Sequence, residues 1–126
     1  MPARIQRRRT KGWRKPSNCV IVTRPSRFGN PFTAADCIEA DWASTKTEAR
    51  EVNAEFFRAW IDGTLAGGPG PEGTSWSRER RDWIRDHLGD LRGCDLACYC
   101  PLPADGQPDH CHASVLLELA NAPKEN

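Results

Sequence analysis

Four side chains near the C-terminus have the types and spacing for chemistry: Cys98, Cys100, Cys111 and His112, in a C-x-C-x10-C-H pattern. Three thiolates and an imidazole satisfy a tetrahedral zinc ion, which makes zinc the leading cofactor expectation. His110 is an alternative fourth ligand, and three cysteines with one open position would also suit an iron–sulfur cluster. Without a metal, Cys111 and His112 would form a catalytic pair, the thiolate acting as nucleophile beside the imidazole. The plain structural reading leaves all four as unligated groups on a strand–helix unit.

The elements that must position these groups follow from the local sequence. Residues 96–100 (LACYC) read as a short strand ended by Pro101 and Pro103, which cannot continue a ladder. Side chains alternate faces along a strand, so Cys98 and Cys100 are expected to point the same way. The polar run to Asp109 reads as a loop, and residues 112–120 as a helix burying Val115, Leu116 and Leu119. Cys111 and His112 would then stand at a helix start, where unpaired N–H groups favour negative charge. On a helix, consecutive side chains diverge, so only one of the two is expected to ligate.

A second candidate lies earlier. The apolar β-branched run 19–23 (CVIVT) reads as a buried strand, followed directly by RPSRFGNPF, residues 24–32. Pro25 and Pro31 stiffen the flanks of this loop, and Gly29 and Asn30 tolerate positive φ. Ligands favour the C-terminal ends of strands in α/β sheets, and Arg24, Ser26, Arg27 and Asn30 offer donors for a phosphate or a base edge. The competing reading is a turn whose Phe28 and Phe32 plug the core.

Charge is lopsided along the chain. Residues 1–27 hold nine Arg/Lys and no acid, while the remainder holds nine bases against seventeen acids. Residues 1–18 therefore read as a basic arm, in which Arg7, Arg8, Arg9, Lys11, Trp13 and Arg14 suit phosphate contacts and base stacking. A solvated N-terminus is the simpler alternative. No apolar run approaches the roughly 20 residues of a membrane span, and arginines stand where a secretory signal would have its apolar core. The expectation is a cytoplasmic protein without a membrane partner. Cysteines in such a protein serve as ligands or reactive thiols more often than as disulfides.

Between the two candidates the chain reads as helical. Residues 33–44 suggest one turn around Cys37 and Trp42. Residues 45–62 carry a capping box, Thr45 with Glu48, and a stop at Gly63, with Ala49, Val52, Phe56 and Trp60 on the apolar face. GGPGPEGT, within residues 65–74, is a break; it has neither a preceding strand nor the Gly-Lys-Ser/Thr of a phosphate loop. A helix over 76–88 turns Trp76, Trp83, Ile84 and Leu88 inward, and its Arg78, Arg80, Arg81 and Arg85 read as a solvated face. Cys19, Cys37 and Cys94 read as small buried residues, and residues 124–126 as a frayed tail.

The blocks RIQRRRTKGWRKP, VIVTRPSRFGNPF, LRGCDLACYC and CHASVLLELAN, occurring in this order, resemble the DUF4326 family over residues 4–32 and 90–121. The resemblance implies a small domain of bacteria and their phages that keeps the arginine arm, the RPS-x-x-GNPF loop and the Cys/His unit; it implies no reaction. A weaker likeness is to DUF488, which also ends in a strand followed by a Cys-His helix start.

The fold expectation is one small α/β domain over residues 19–122, a mostly parallel sheet with packed helices, preceded by the 1–18 arm. The strands beginning at Cys19 and Leu96 would lie centrally, and if both end at one edge, the 24–32 loop and the cysteine unit face one cleft. The functional expectation is a metal- or thiol-dependent enzyme acting on a nucleotide, nucleobase or nucleic acid. The alternative is a non-catalytic nucleic-acid-binding module stapled by structural zinc.

Overall fold

The computed structural model describes residues 2–24 and 26–122; Pro25 and the expected 124–126 tail lie outside the described residues. Three strands, β1 (Arg4–Gln6), β2 (Cys19–Ile21) and β3 (Asp95–Cys98), form one sheet in the order β1-β3-β2, with both pairings parallel. Leu96 and Ala97 project to opposite faces and both are fully buried, as the central strand of a covered parallel sheet requires. The α/β architecture is therefore as the sequence suggests.

Two placements differ from expectation. The Cys19 strand is an edge, because β3 alone has a neighbour on each side. The far neighbour comes from within the basic arm: Arg4 pairs with Leu96, Ile5 with Ala97 and Gln6 with Cys98. Backbone bonds extend this pairing, from Leu96 N–H to Ala3 O at 3.1 Å and from Arg7 N–H to Cys98 O at 2.7 Å. Three residues flanked by arginines give no readable period-two pattern, and β3 supplied the edge that ordered them. Strand β3 also ends at Cys98, two residues before the expected end.

Among the described residues there are four helices, α1 (Ala34–Glu39), α2 (Lys46–Asp62), α3 (Arg78–His87) and α4 (His112–Ala120), with a 3-10 turn at Leu88–Leu91. Helix α4 packs directly on β1 and β3, α2 packs on α4, and α1 and α3 pack on α2. Thr33, Thr45 and Ser77 cap the first three by accepting from the N–H groups of Asp36, Glu48 and Arg80. Gly63 closes α2 in the left-handed region at φ 83°. Helix α2 buries Ala49, Asn53, Ala54, Phe57, Trp60 and Ile61, so its inner face is rotated from the expected one, and Val52 and Phe56 are half-buried. The main core gathers Val22, Phe57, Trp60, Ile84, Leu91, Leu96 and Leu116 between helices and sheet. Each fully buried Leu or Phe contributes about 1.5–3 kcal/mol of transfer free energy.

Helix α3 is not simply a solvated charged face. Arg80 Nη2 donates to the carbonyls of Ser26, Arg27 and Gly29 at 3.1–3.2 Å, and Arg85 Nε donates to Ile61 O at 2.6 Å. The carbonyls of a tight loop need donors, and Arg80 supplies them for residues 26, 27 and 29, while Arg85 satisfies a carbonyl at the C-terminal end of α2. Burial, with Arg27 adding a smaller repulsion, lowers the Arg80 pKa. Cys19 and Cys37 are buried as expected, whereas Cys94 is half-buried. Among the described residues, no helix is long and apolar enough to cross a membrane.

Candidate metal and ligand site

Strands β2 and β3 are parallel, so their C-terminal ends fall at one edge, and the chain segments leaving them meet there. They enclose a cleft of about 300 Å³ lined by the Cys98, Cys100, Cys111 and His112 unit together with Arg9, Arg24 and Arg50. The sulfurs of Cys98, Cys100 and Cys111 all lie within 4.8 Å of one another, close enough to hold a metal ion. Cys98 and Cys100 are neighbours as expected, but strand alternation is only part of the reason. The strand stops at Cys98, and a bend at Tyr99 and Cys100 brings the two sulfurs to 3.8 Å.

Cys111 and His112 do not diverge. Cys111 is the N-cap of α4, with extended backbone at φ −140°, ψ 140°, and only His112 is helical. That kink brings Cys111 Sγ to 3.9 Å from His112 Nδ1. His112 Nε2 lies 2.8 Å from Val22 O. A carbonyl only accepts, so Nε2 donates to Val22 O and Nδ1 is the ring nitrogen turned to the Cys111 sulfur. Neither His112 nitrogen joins the three-sulfur grouping. The ring is held edge-on against Phe57, centroids 5.3 Å apart.

The three thiols are too close to ionise independently. Hydrogen bonds from Cys100 and Cys111 hold Cys98 far below the usual thiol range, against the opposing effect of burial. Hydrogen bonds to Cys100 and Cys98, with burial, push Cys111 far above it. Cys100 is also raised: its bond with Cys111 favours the thiolate, but Cys98 and burial outweigh it. Of the three, Cys98 is the thiol most favoured to ionise. Cys111, only 2% exposed, is a protonated donor in the cluster and lacks the depressed pKa of an activated nucleophile.

Arg4 fixes this geometry. Its side chain, 4% exposed, pairs with Asp109 and donates to Cys100 O at 2.8 Å and Pro101 O at 2.6 Å. One guanidinium therefore ties both ends of the Cys100–Cys111 loop. Burial works against the Arg4 charge, but the Asp109 bond, with smaller attractions to the cysteine cluster and to the Asp109 carboxylate, outweighs it, and its pKa is raised.

The 24–32 loop contributes less to the cleft than its sequence suggests. Arg24 lines it, donating also to Asn30 O at 3.2 Å. Asn30 lines it too, but its amide shapes the loop: Oδ1 accepts from Phe32 N–H at 2.9 Å and Nδ2 donates to Asn53 O at 3.3 Å. Ser26 Oγ accepts from Phe28 N–H at 3.1 Å. Arg27 lies elsewhere, over the Trp83 ring at 5.1 Å. Gly29 is required here by close approach and not by positive φ, since a Cβ would stand 3.0 Å from Arg24 Cγ, Arg24 N and Ser26 O.

The basic arm divides at the cleft. Arg7 and Arg9 sit over the Tyr99 ring, at 4.8 and 4.1 Å, and Arg9 lines the cleft. Arg8, Lys11 and Arg14 are exposed and Trp13 is half-buried. Arg50 and Asn53, one turn apart on α2, line the cleft without having been singled out in the sequence. Asn53 did leave a signal, as the polar member of the series Ala49, Asn53, Phe57 and Trp60 on the buried side of a helix.

Neither a curated protein nor a solved structure matches the chain. The family model described as a domain of unknown function, DUF4326, matches residues 5–122, spanning the middle helices as well as the terminal blocks, and the chain belongs to that family.

Proposed function

We propose that this domain is a zinc-dependent enzyme acting on a nucleotide. The observation that carries the reading is the convergence of three arginines, Arg9, Arg24 and Arg50, with three cysteine sulfurs on one cleft. Sulfurs at about 2.3 Å from a tetrahedral zinc stand about 3.8 Å apart, the separation of Cys98 and Cys100. Three protein ligands with a fourth position turned to a cleft are the pattern of a catalytic zinc, whereas four are that of a structural one. A zinc ion held there would supply a Lewis acid for a substrate oxygen. The arginines bind and orient the phosphate, and His112, with Nε2 on Val22 O and Nδ1 turned to the cluster, is the group placed to exchange a proton there. This supports His112 as the base and gives Cys111 the role of ligand, not nucleophile.

A second reading, a nucleic-acid-binding module with structural zinc, is favoured by the exposure of Arg8, Lys11 and Arg14 on the arm. One experiment separates the two. Protein purified without tag or chelator is assayed for metal content, then for nucleotide and oligonucleotide binding across a salt series, and for turnover of a nucleotide mixture by mass spectrometry. The enzyme reading expects one equivalent of zinc, lost in Cys98→Ser, nucleotide binding weakened by Arg24→Ala, and conversion of a nucleotide. Zinc with oligonucleotide binding that falls steeply with salt, and no turnover, overturns it in favour of the module. A brown, iron-containing protein replaces zinc by an iron–sulfur cluster.

A further inference from the structure

A second cavity, of about 500 Å³, adjoins the arginine cleft, and Phe32 and Asn53 line both. Its other walls include Trp42, Phe56 and Trp76. The aromatic rings are organised against one another: Phe56 meets Trp42 at 5.1 Å and Phe32 at 5.7 Å, and Phe32 meets Trp76 at 6.2 Å. Trp42 is 59% exposed, a large apolar area left open to solvent beside the cavity. Trp76 is held in place from behind, where Gly70 approaches so closely that a Cβ would fall 2.4 Å from the indole.

Asn53 supplies the polar element. It is 6% exposed and lines both cavities, its backbone carbonyl accepts from Asn30, and among the described residues its carboxamide makes no side-chain hydrogen bond. A carboxamide at a cavity wall with no protein partner is free to hydrogen-bond a ligand there. Its paired donor and acceptor match the edge of a nucleobase.

We infer that this aromatic cavity is a nucleobase subsite: the base stacks among Phe32, Trp42, Phe56 and Trp76, Asn53 hydrogen-bonds its edge, and the phosphate crosses the shared wall to Arg9, Arg24 and Arg50. The inference rests on the nucleotide reading of the cleft and adds to it a site for the base. Aromatic stacking contributes about 1–3 kcal/mol per base, equivalent to roughly 5- to 150-fold in affinity.

The test compares nucleoside 5′-monophosphates with ribose 5-phosphate by calorimetry on the metal-loaded protein, with tryptophan fluorescence as a second readout. The expected result is that at least one nucleotide binds tenfold or more tightly than ribose 5-phosphate and quenches the fluorescence. Trp42→Ala, at an exposed position outside the arginine cleft, should bring nucleotide affinity down toward that of ribose 5-phosphate and leave ribose 5-phosphate itself unchanged. Asn53→Leu, close in size and without added charge, should lower nucleotide affinity. Equal affinity for nucleotides and ribose 5-phosphate, or nucleotide affinity unmoved by both substitutions, overturns the base subsite while sparing the phosphate cleft. Failure of every phosphorylated compound to bind overturns both readings together.

Discussion

Replacing Arg4 by Met removes the guanidinium that ties Asp109 to the Cys100 and Pro101 carbonyls while keeping much of the buried stem. Breaking a buried ion pair on one side costs about 3–5 kcal/mol, because the other charge is left without its partner. Asp109 is 17% exposed, so water partly resolvates it, and about 3 kcal/mol is the expected loss. At about 4 °C per kcal/mol for a domain between the small and medium size classes, thermal unfolding should shift down by about 10 °C. The Cys100–Cys111 loop, freed at both ends, should also lose about 10- to 100-fold in metal affinity, the usual effect of removing a group that orients ligands. Asp109→Asn in the Arg4→Met background should recover part of the melting temperature by removing the orphaned charge. Melting curves with and without metal, and competition with a chromophoric chelator, measure both effects. An Arg4→Met protein that melts within about 2 °C of the parent and holds metal equally well would refute the clamp.

Metal affinity should rise with pH near neutrality. Cys100 and Cys111 have raised pKa values and must each release a proton to ligate, whereas Cys98 is already ionised. The slope then approaches about two protons, or about 100-fold per pH unit, and a pH series of chelator competitions checks it. Arg27→Ala should leave nucleotide affinity unchanged, because Arg27 lies over Trp83, while Arg24→Ala should weaken it by about tenfold, the loss of one charge-assisted hydrogen bond; calorimetry on both variants decides. Gly29→Ala should cost about 1–3 kcal/mol through overpacking against Arg24 and Ser26, and should weaken nucleotide binding as Arg24 shifts. A fully stable Gly29→Ala protein would contradict the close packing of that loop.

Local chemistry made much of this protein legible from its sequence. The cap Thr45, the stop at Gly63 and the helix His112–Ala120 rest on interactions among residues a few positions apart, and such signals survive in one dimension. The cysteine spacing likewise marked a metal-capable unit before its sulfurs were seen together. Tertiary structure alone decided what depends on distant partners. Arg4–Gln6 became a strand because β3 offered an open edge 92 residues away in register, and Arg4 became the tie across the cysteine loop because burial placed it beside Asp109. Extended backbone at Cys111 keeps His112 Nδ1 within 3.9 Å of its sulfur, yet Cys111 alone of the two joins the three-sulfur grouping while His112 Nε2 meets Val22 O. Arg27 and Arg24 carry the same charge three residues apart, yet only the path of the loop sends one to Trp83 and the other to the cleft. Residue type sets what a side chain can do, and the packing of distant segments sets which partner it meets.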